Sequence, residues 1–301
     1  MRVIVISAPK RSGHHAFIST LLIRNKCPVF FINNPPVRAG DWLDCQYISK
    51  RMNLRLQYNM TFMEQYPAPD SLPVSEVIYT CSMIPEREDF IRAIMEMQDC
   101  VLVVNFEDIL PDHKRIARYL RFLSRDFANI KSTFLLFMRD PYNLLASRLA
   151  RTKFYELRES TMVSIIKEND NDGIPKSIEN IMDVVRDFLG FSLSNKHPNE
   201  LCILDYASWL YDTPYRASYE QKIDLKLGEP TSSTSMHGKG SSFHSNVNET
   251  DHHSLIHRFK QFENTYPYSF IVDRLKLDID RYYKEICSEA VPLGFLNSTG
   301  S

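Results

Sequence analysis

Residues 7–15 combine side chains that bind anions with side chains that move protons. They read Ser7-Ala8-Pro9-Lys10-Arg11-Ser12-Gly13-His14-His15. An apolar run typical of a strand precedes them and a helical pattern follows, so backbone N–H groups and a helix N-terminus would face a bound anion. Lys10 and Arg11 add positive charge, and Gly13 lets the backbone approach a phosphate closely. The alternative is an ordinary strand-to-helix turn with basic surface residues.

This segment is not a Walker A loop. That motif, G-x-x-x-x-G-K-[ST], places a lysine and then a hydroxyl residue after its last glycine. Here His14 and His15 follow Gly13, the lysine comes before it, and the hydroxyl that would hold Mg²⁺ is missing. The sequence therefore disfavours an enzyme that hydrolyses ATP or GTP.

A second polar segment begins where a later predicted strand ends. Arg139 stands at that end, and Ser147 follows about two turns into the next helix. Open α/β sheets bind ligands beyond the carboxyl ends of their strands. The two residues could clamp a phosphate, with the guanidinium binding through two N–H groups. The alternative is a surface pair of Arg139 with Asp140, next to a serine that caps a helix.

Together, these segments resemble sulfotransferases that use the donor adenosine 3′-phosphate 5′-phosphosulfate (PAPS). In that family, an early strand–loop–helix binds the 5′-phosphosulfate, and a later R-[ND]-P-x-[DN]-x-x-x-S segment binds the 3′-phosphate. Leu204-Asp205-Tyr206 is similar to the strand whose aromatic residue lies near the adenine. Residues 238–243 are similar to the late glycine-rich loop that closes over the 3′-phosphate. The resemblance covers roughly residues 1–265.

The resemblance implies a donor site and a product, adenosine 3′,5′-bisphosphate. Lys10 would contact the leaving oxygen, and no metal would be required. The chain departs from the family at His14 and His15, where Ser or Thr is common, and at His237, where Arg is common. The implied donor-binding residues are Pro9, Lys10, Arg11, Ser12, Gly13, His14, His15, Arg139, Ser147, Tyr206, Gly238, Lys239, Gly240, Ser241 and Ser242.

Three residues are candidates for the general base, and Lys10 completes the catalytic set. His14 and His15 titrate near neutrality, but successive helical positions point about 100° apart, so only one would face the sulfuryl group. Glu107 ends a predicted strand at the same sheet edge, although it and Asp108 could equally be helix caps. The sequence slightly favours a histidine, and phosphate binding is the alternative for the pair.

No metal site is predicted in the histidine-rich stretch near the C-terminus. His253 and His257 lie four residues apart, but no adjacent glutamate supplies the H-E-x-x-H pattern. Solvated loop histidines explain this stretch more simply.

Five short apolar runs predict the buried strands that would position these residues. They are Val3–Ile6, Pro28–Asn33, Val101–Phe106, Thr133–Met138 and Leu201–Tyr206. Helical patterns cover residues 16–23, 86–98, 112–127, 142–157, 178–189, 215–227, 251–264 and 271–287, and Gly228 is the expected cap of the 215–227 helix. Residues 37–85 show no regular pattern.

Alternating buried strands and helices predict an α/β fold, a single-domain parallel β-sheet with helices on both faces. The resemblance adds that this is a P-loop NTPase-like sulfotransferase fold. We expect a sulfotransferase domain over residues 1–290 and a flexible tail over residues 291–301.

Composition excludes some partners. Lysine plus arginine is 36 and aspartate plus glutamate is 37, so no overall basic field favours nucleic acid. No apolar stretch is long enough for a signal or a membrane span, and a cytoplasmic protein is expected. The expected acceptor is a carbohydrate or another small hydroxyl compound. A small-molecule kinase using ATP and a non-catalytic nucleotide-binding relative are the alternative functions.

Overall fold

Seven strands and eight α-helices make up the described part of the chain. The computed structural model describes residues 1–35, 56–59, 78–81, 87–97, 99–150, 152, 176–194, 201–228 and 258–287. The strands are β1 (Arg2–Ala8), β2 (Val29–Asn33), β3 (Leu56–Asn59), β4 (Ile78–Cys81), β5 (Val101–Glu107), β6 (Lys131–Met138) and β7 (Leu201–Asp205). The helices are α1 (His14–Arg24), α2 (Arg87–Glu96), α3 (Lys114–Asp126), α4 (Pro141–Leu149), α5 (Lys176–Ser192), α6 (Tyr206–Tyr211), α7 (Thr213–Ile223) and α8 (Tyr266–Glu285), with a 3₁₀ turn at Arg258–Gln261.

The strands form one sheet in the order β4-β3-β2-β5-β1-β6-β7. The five strands predicted from the sequence, β2, β5, β1, β6 and β7, are confirmed and are mutually parallel. β3 and β4 extend the sheet as antiparallel strands beyond β2. The expectation of no regular structure over residues 37–85 is therefore wrong at β3 and β4. Strands of four residues are too short to show an alternating pattern.

Apolar strands bury both of their faces, and helices cover each side. Ile4, Ile6 and Ala8 of β1 pack on the side of α1, α6 and α7. Val3 and Val5 point the other way, toward α2 and α3. The α4, α5 and α8 helices cover β6 and β7 on that second side. The predicted α/β architecture with helices on both faces is thus confirmed.

The order in which successive strands are added to the sheet reverses at β1. It passes from β1 to β2 and β5 on one side, then crosses to β6 and β7 on the other. Ligands of open parallel sheets bind at such a switch point, beyond the carboxyl ends of the strands. Ala8 pairs with Glu107 at that edge. The loop that follows β1 and the end of β5 are therefore neighbours.

Several predicted elements need correction. The 142–157 helix ends at Leu149, and the described part of the 251–264 helix holds a 3₁₀ turn at Arg258–Gln261 rather than an α-helix. Tyr206 is not a strand residue but the first residue of α6, because the Asp205 side chain caps the helix by accepting from the N–H of Ser208. The 215–227 helix ends earlier, at Ile223, with Asp224 rather than Gly228 as its cap, at φ 54°. Aspartate tolerates this left-handed conformation better than most residues. In the part of the chain that the structure describes, no helix combines the length and apolarity needed to cross a bilayer.

Candidate active site

The loop between β1 and α1 closes in a tight turn. The N–H of Ser12 donates to the carbonyl of Pro9 at 3.1 Å. Arg11 and Gly13 both have left-handed backbones, with φ of 72° and 90°. α1 then begins at His14, and among the described residues no side chain caps it. Because the first N–H groups of a helix lack intrahelical partners, the turn offers backbone donors to an anion.

Gly13 is required by conformation and by space. A φ of 90° is strained for any residue with a side chain. A Cβ at this position would lie 2.9 Å from Cε2 of Tyr206. The Tyr206 ring also contacts the rings of Phe137 and Trp209, with centroids 6.0 and 5.7 Å away. The β7–α6 segment that resembles the adenine-side motif is therefore packed against the first loop.

Glu107 brings His14 and His15 together. Its Oε1 lies 3.3 Å from Nε2 of His14 and 3.4 Å from Nε2 of His15. The two imidazole centroids are 4.3 Å apart. The expected divergence of the two side chains is not observed, because side chains in the first turn of a helix lean back toward its N-terminus, here toward the end of β5.

Two further side chains orient this group. Ser12 Oγ lies 2.9 Å from Nδ1 of His14. Asn34 Nδ2 donates to Oε2 of Glu107 at 2.8 Å, and the Glu107 N–H donates back to Oδ1 of Asn34 at 2.9 Å. The His14 side chain is 2% exposed and that of His15 is 22% exposed. His15 is thus the histidine that a substrate can reach.

The electrostatics separate the candidate bases. Burial alone would raise the pKa of Glu107, but contact with His14 and His15 outweighs burial and holds its pKa well below the usual range. Burial lowers the pKa of His15, and the neighbouring His14 lowers it further, against the opposing effect of Glu107. Glu107 is therefore a poor proton acceptor, whereas the lowered pKa of His15 favours its neutral form. When Nε2 of His15 donates to Glu107, Nδ1 keeps its lone pair.

Lys10 is held by an acidic neighbour at the end of β5. Asp108 Oδ1 accepts from the backbone N–H of Lys10 at 2.8 Å and from Nη1 of Arg148 at 2.7 Å. The Nζ of Lys10 lies 3.6 Å from Oδ2 of Asp108, and the lysine side chain is 57% exposed. The backbone of Lys10 is therefore fixed, whereas its amine can turn toward an incoming anion.

Arg139 connects the second motif to the first. Its Nη1 donates to the carbonyl of Arg11 at 3.0 Å, across 128 residues of sequence. Its guanidinium carbon lies 5.7 Å from the centroid of the Tyr206 ring. Arg139 is 7% exposed and Ser147 is 4% exposed. The alternative of a surface pair is excluded by this burial.

Asp140 anchors the segment that carries Arg139. As the cap of α4, its Oδ1 accepts from the N–H of Asn143 at 3.1 Å and from the hydroxyl of Tyr283 at 3.0 Å. Burial raises the pKa of Asp140, and Arg139 and the hydrogen bonds partly oppose this rise. The position of Arg139 thus depends on a residue of α8.

Asp205, at the end of β7, is held in a parallel way. Its carboxylate accepts from the hydroxyl of Tyr282 at 2.6 Å and from the N–H and Oγ of Ser208 at 2.7 and 2.8 Å. Burial raises the pKa of Asp205, against the lowering effect of these hydrogen bonds. Adjacent tyrosines of α8 therefore bind the carboxylates at the ends of two neighbouring strands.

The structure unites most of the site residues predicted from the sequence. Residues 9–15, Glu107, Arg139 and Tyr206 lie around one loop, as the contacts above describe. The late-loop residues Gly238, Lys239, Gly240, Ser241 and Ser242 lie outside the described residues. Four residues of the site were not predicted from the sequence: Asn34, Arg148, Tyr282 and Tyr283. Asn34 is a polar residue that directly follows the parallel strand β2. That position could have identified it as a site residue from the sequence.

No family model and no curated protein matches the chain. Among solved structures, the chain is similar to the sulfotransferase domain from the curacin biosynthetic pathway, with 15% sequence identity and a TM-score of 0.47. The alignment covers 91% of this chain and 96% of that domain.

Proposed function

We propose that the chain is a sulfotransferase that moves a sulfuryl group from PAPS to a hydroxyl or amine of an acceptor. The observation that supports it most directly is the hydrogen bond from Arg139 to the carbonyl of Arg11 at 3.0 Å. It joins the two segments that resemble the family motifs for the 5′ and 3′ ends of the donor. The tyrosine of the third similar segment packs on Gly13 in the same place.

In this proposal, the first loop binds the 5′ end of the donor. The start of α1 supplies backbone N–H groups, and the exposed amine of Lys10 turns from Asp108 toward the leaving oxygen. Arg139 and Ser147 are assigned to the 3′-phosphate, and Tyr206 to the side of the adenine. The developing charge is met by fixed donors, which is the main way such sites lower a barrier. The scheme needs no divalent ion.

The proposed base is His15. Its imidazole is the more exposed of the pair, and Glu107 fixes its orientation through Nε2. The bond from the acceptor oxygen to sulfur forms as the bond from sulfur to the leaving phosphate oxygen breaks, and the acceptor proton passes to Nδ1 of His15. Aligning the two reactants is expected to supply much of the acceleration. We assign the acceptor to the carbohydrates or other small hydroxyl compounds.

Nucleotide binding without Mg²⁺ tests the proposal. We expect adenosine 3′,5′-bisphosphate to raise the melting temperature in EDTA, with about 2.7 kcal/mol of stabilisation at 100 times Kd. ATP, with and without Mg²⁺, is the matched comparison. No shift at millimolar bisphosphate would overturn the proposal, and a shift seen only with ATP and Mg²⁺ would indicate a kinase.

Transfer is then tested with ³⁵S-labelled PAPS and a panel of sugars, phenols and amines. Label is expected on at least one hydroxyl or amine compound. Bisphosphate binding with no transfer across the panel would instead favour the non-catalytic relative.

A further inference from the structure

His14, His15 and Glu107 also form the geometry of a metal site. Each offers one ligand atom, and these atoms all lie within 4.8 Å of one another, an arrangement found once among the described residues. We propose that this triad binds Zn²⁺ through Nε2 of His14, Nε2 of His15 and Oε1 of Glu107.

Two of the three ligand-to-ligand distances fit a tetrahedral ion, and the third lies within 4.8 Å. Zinc bonds to nitrogen and to carboxylate oxygen are about 2.0–2.2 Å long, which places two ligand atoms of a tetrahedron about 3.3–3.5 Å apart. The carboxylate oxygen of Glu107 lies 3.3 and 3.4 Å from the two imidazole nitrogens. An ion can therefore enter with small movements of the side chains.

His14 gives an independent indication. Its side chain is 2% exposed. Within the described residues its Nε2 has no hydrogen-bond partner, although a carboxylate oxygen lies 3.3 Å away. Leaving a buried polar atom without a hydrogen bond is costly. A buried nitrogen 3.3 Å from a carboxylate oxygen, with no geometric hydrogen bond between them, lies where an ion could bind both atoms.

His15 would bind the ion in its neutral form, through Nε2. In the metal-free protein, its Nε2 lies 3.4 Å from Oε1 of Glu107 in a hydrogen bond. A neutral imidazole binds a metal through a lone pair, so the proton on Nε2 would move to Nδ1 and the Nε2 lone pair would face Zn²⁺. The cost of breaking one hydrogen bond is thus offset by two nitrogen ligands and a carboxylate.

The neighbours of the triad are those that metal ligands usually have. Ser12 Oγ lies 2.9 Å from Nδ1 of His14, so donation from Nδ1 leaves the Nε2 lone pair for the ion. Asn34 Nδ2 donates to Oε2 of Glu107, which leaves Oε1 for the ion. Such partners fix the tautomer and the direction of metal ligands.

The donor set indicates the class of ion. Two imidazoles and one carboxylate suit Zn²⁺, whereas Mg²⁺ prefers oxygen ligands alone. Three protein ligands leave the fourth position open to water. One consequence rests on the proposed function: an ion bound to His15 and Glu107 removes the proposed base from use, so Zn²⁺ is expected to inhibit sulfuryl transfer.

Metal titration of the full chain tests the site without any nucleotide. Protein stripped with a chelator is titrated with Zn²⁺ by calorimetry and with Co²⁺ by visible absorbance. We expect one ion per chain with a Kd of 10 μM or less, and the intense Co²⁺ absorption of four-coordinate geometry. Glu107→Gln keeps the side-chain shape and is expected to weaken Zn²⁺ binding at least about tenfold.

The chain offers a matched control in its other adjacent histidine pair, at residues 252 and 253. His14→Ala/His15→Ala should abolish the stoichiometric ion, and His252→Ala/His253→Ala should retain it. Circular dichroism and a cooperative melt establish that each variant is folded. If the His14→Ala/His15→Ala variant does not fold, the Zn²⁺ affinity of Glu107→Gln tests the site instead.

Absence of a stoichiometric ion in the wild type, unchanged affinity in folded Glu107→Gln, or loss of the ion in the His252/His253 variant would overturn the proposal. The bisphosphate melt in EDTA is a separate readout. Zinc binding without bisphosphate binding would therefore refute the proposed function and leave the metal site standing.

Discussion

Arg148 and Asp108 form a two-pronged ion pair beside the backbone of Lys10. The Nη1–Oδ1 and Nη2–Oδ2 distances are 2.7 and 3.3 Å. Nη1 of Arg148 also lies 3.4 Å from the carbonyl of Lys10, and Oδ1 of Asp108 accepts from the N–H of Lys10. The ion pair therefore contacts both polar groups of the Lys10 backbone. Two residues that are not part of the loop after β1 thus hold that loop in place.

Asp108→Asn tests this relationship. The amide can still accept from the N–H of Lys10, and asparagine tolerates the φ of 56° at this position. The loss of the charge leaves Arg148, 11% exposed, without its carboxylate. We expect a loss of about 1–3 kcal/mol in the free energy of unfolding, measured by urea titration. Asp108→Ala should cost more, because it also removes the acceptor and strains the backbone. Equal stability of the wild type and both variants would show that the Arg148–Asp108 ion pair does not stabilise the fold.

Gly13→Ala is expected to destabilise the first loop. The new Cβ would meet the Tyr206 ring at 2.9 Å in a backbone conformation that alanine rarely adopts. A cost of about 1–3 kcal/mol in unfolding free energy follows from the backbone strain and the overpacking. Gly190→Ala is the matched control, because a Cβ there meets nothing within 4 Å. A wild-type melting temperature for Gly13→Ala would show that the loop can rearrange.

Lys10→Ala and Arg139→Ala should both weaken binding of adenosine 3′,5′-bisphosphate. Each removes a positive charge from the proposed donor site, and Arg139→Ala also removes the hydrogen bond to Arg11. Charge-assisted hydrogen bonds contribute about 1.5–3 kcal/mol, so we expect Kd to rise about tenfold to a hundredfold in calorimetry. Arg118→Ala, on the exposed face of α3, should bind like the wild type. Unchanged binding by both site variants would show that the nucleotide binds elsewhere.

Tyr282→Phe should give a loss of stability that grows with pH. The folded pKa of Asp205 is raised by burial, so its contribution to stability is present below the unfolded pKa of about 3.9 and is lost as the pH rises through the folded value. The hydroxyl of Tyr282 opposes that loss by stabilising the carboxylate. Its removal should cost about 1 kcal/mol where Asp205 is protonated and about 1.5–3 kcal/mol where it is ionised.

Urea titrations at a series of pH values measure this difference. Tyr266→Phe, at the start of the same helix, is the control and should change the free energy of unfolding by less than about 0.5 kcal/mol at any pH. A pH-independent difference between Tyr282→Phe and the wild type would mean that the hydroxyl does not sense the charge of Asp205.

The parallel strands were predictable because each is a run of apolar residues buried on both faces. β3 and β4 were not, because four residues cannot establish a period and their partners are each other and β2. Helix ends were less predictable, and the helix predicted to run to residue 157 ends at Leu149. The end of α7, for example, depends on Asp224 accepting a left-handed backbone.

Within the site, the residue types were predictable and their contacts were not. His14, His15 and Glu107 stood as competing bases, and only the pairing of β1 with β5 shows that they form one group. Asn34 joins that group because β2 also borders β5, a fact of strand order that local pattern does not contain. The Arg148–Asp108 pair likewise depends on the position of α4 relative to the end of β5, which local sequence pattern does not contain.

The two tyrosines of α8 set the order in which a growing chain can complete its site. Asp140 and Asp205 are synthesised 143 and 77 residues before the hydroxyl groups that bind them. Until α8 leaves the ribosome, both carboxylates lack these hydrogen bonds and α4, α5 and α6 lack part of their packing surface. The loop after β1 is the first part of the site to be made, and the supports of Arg139 are the last. A nascent chain is therefore expected to complete the supports of Arg139 only after α8 has left the ribosome.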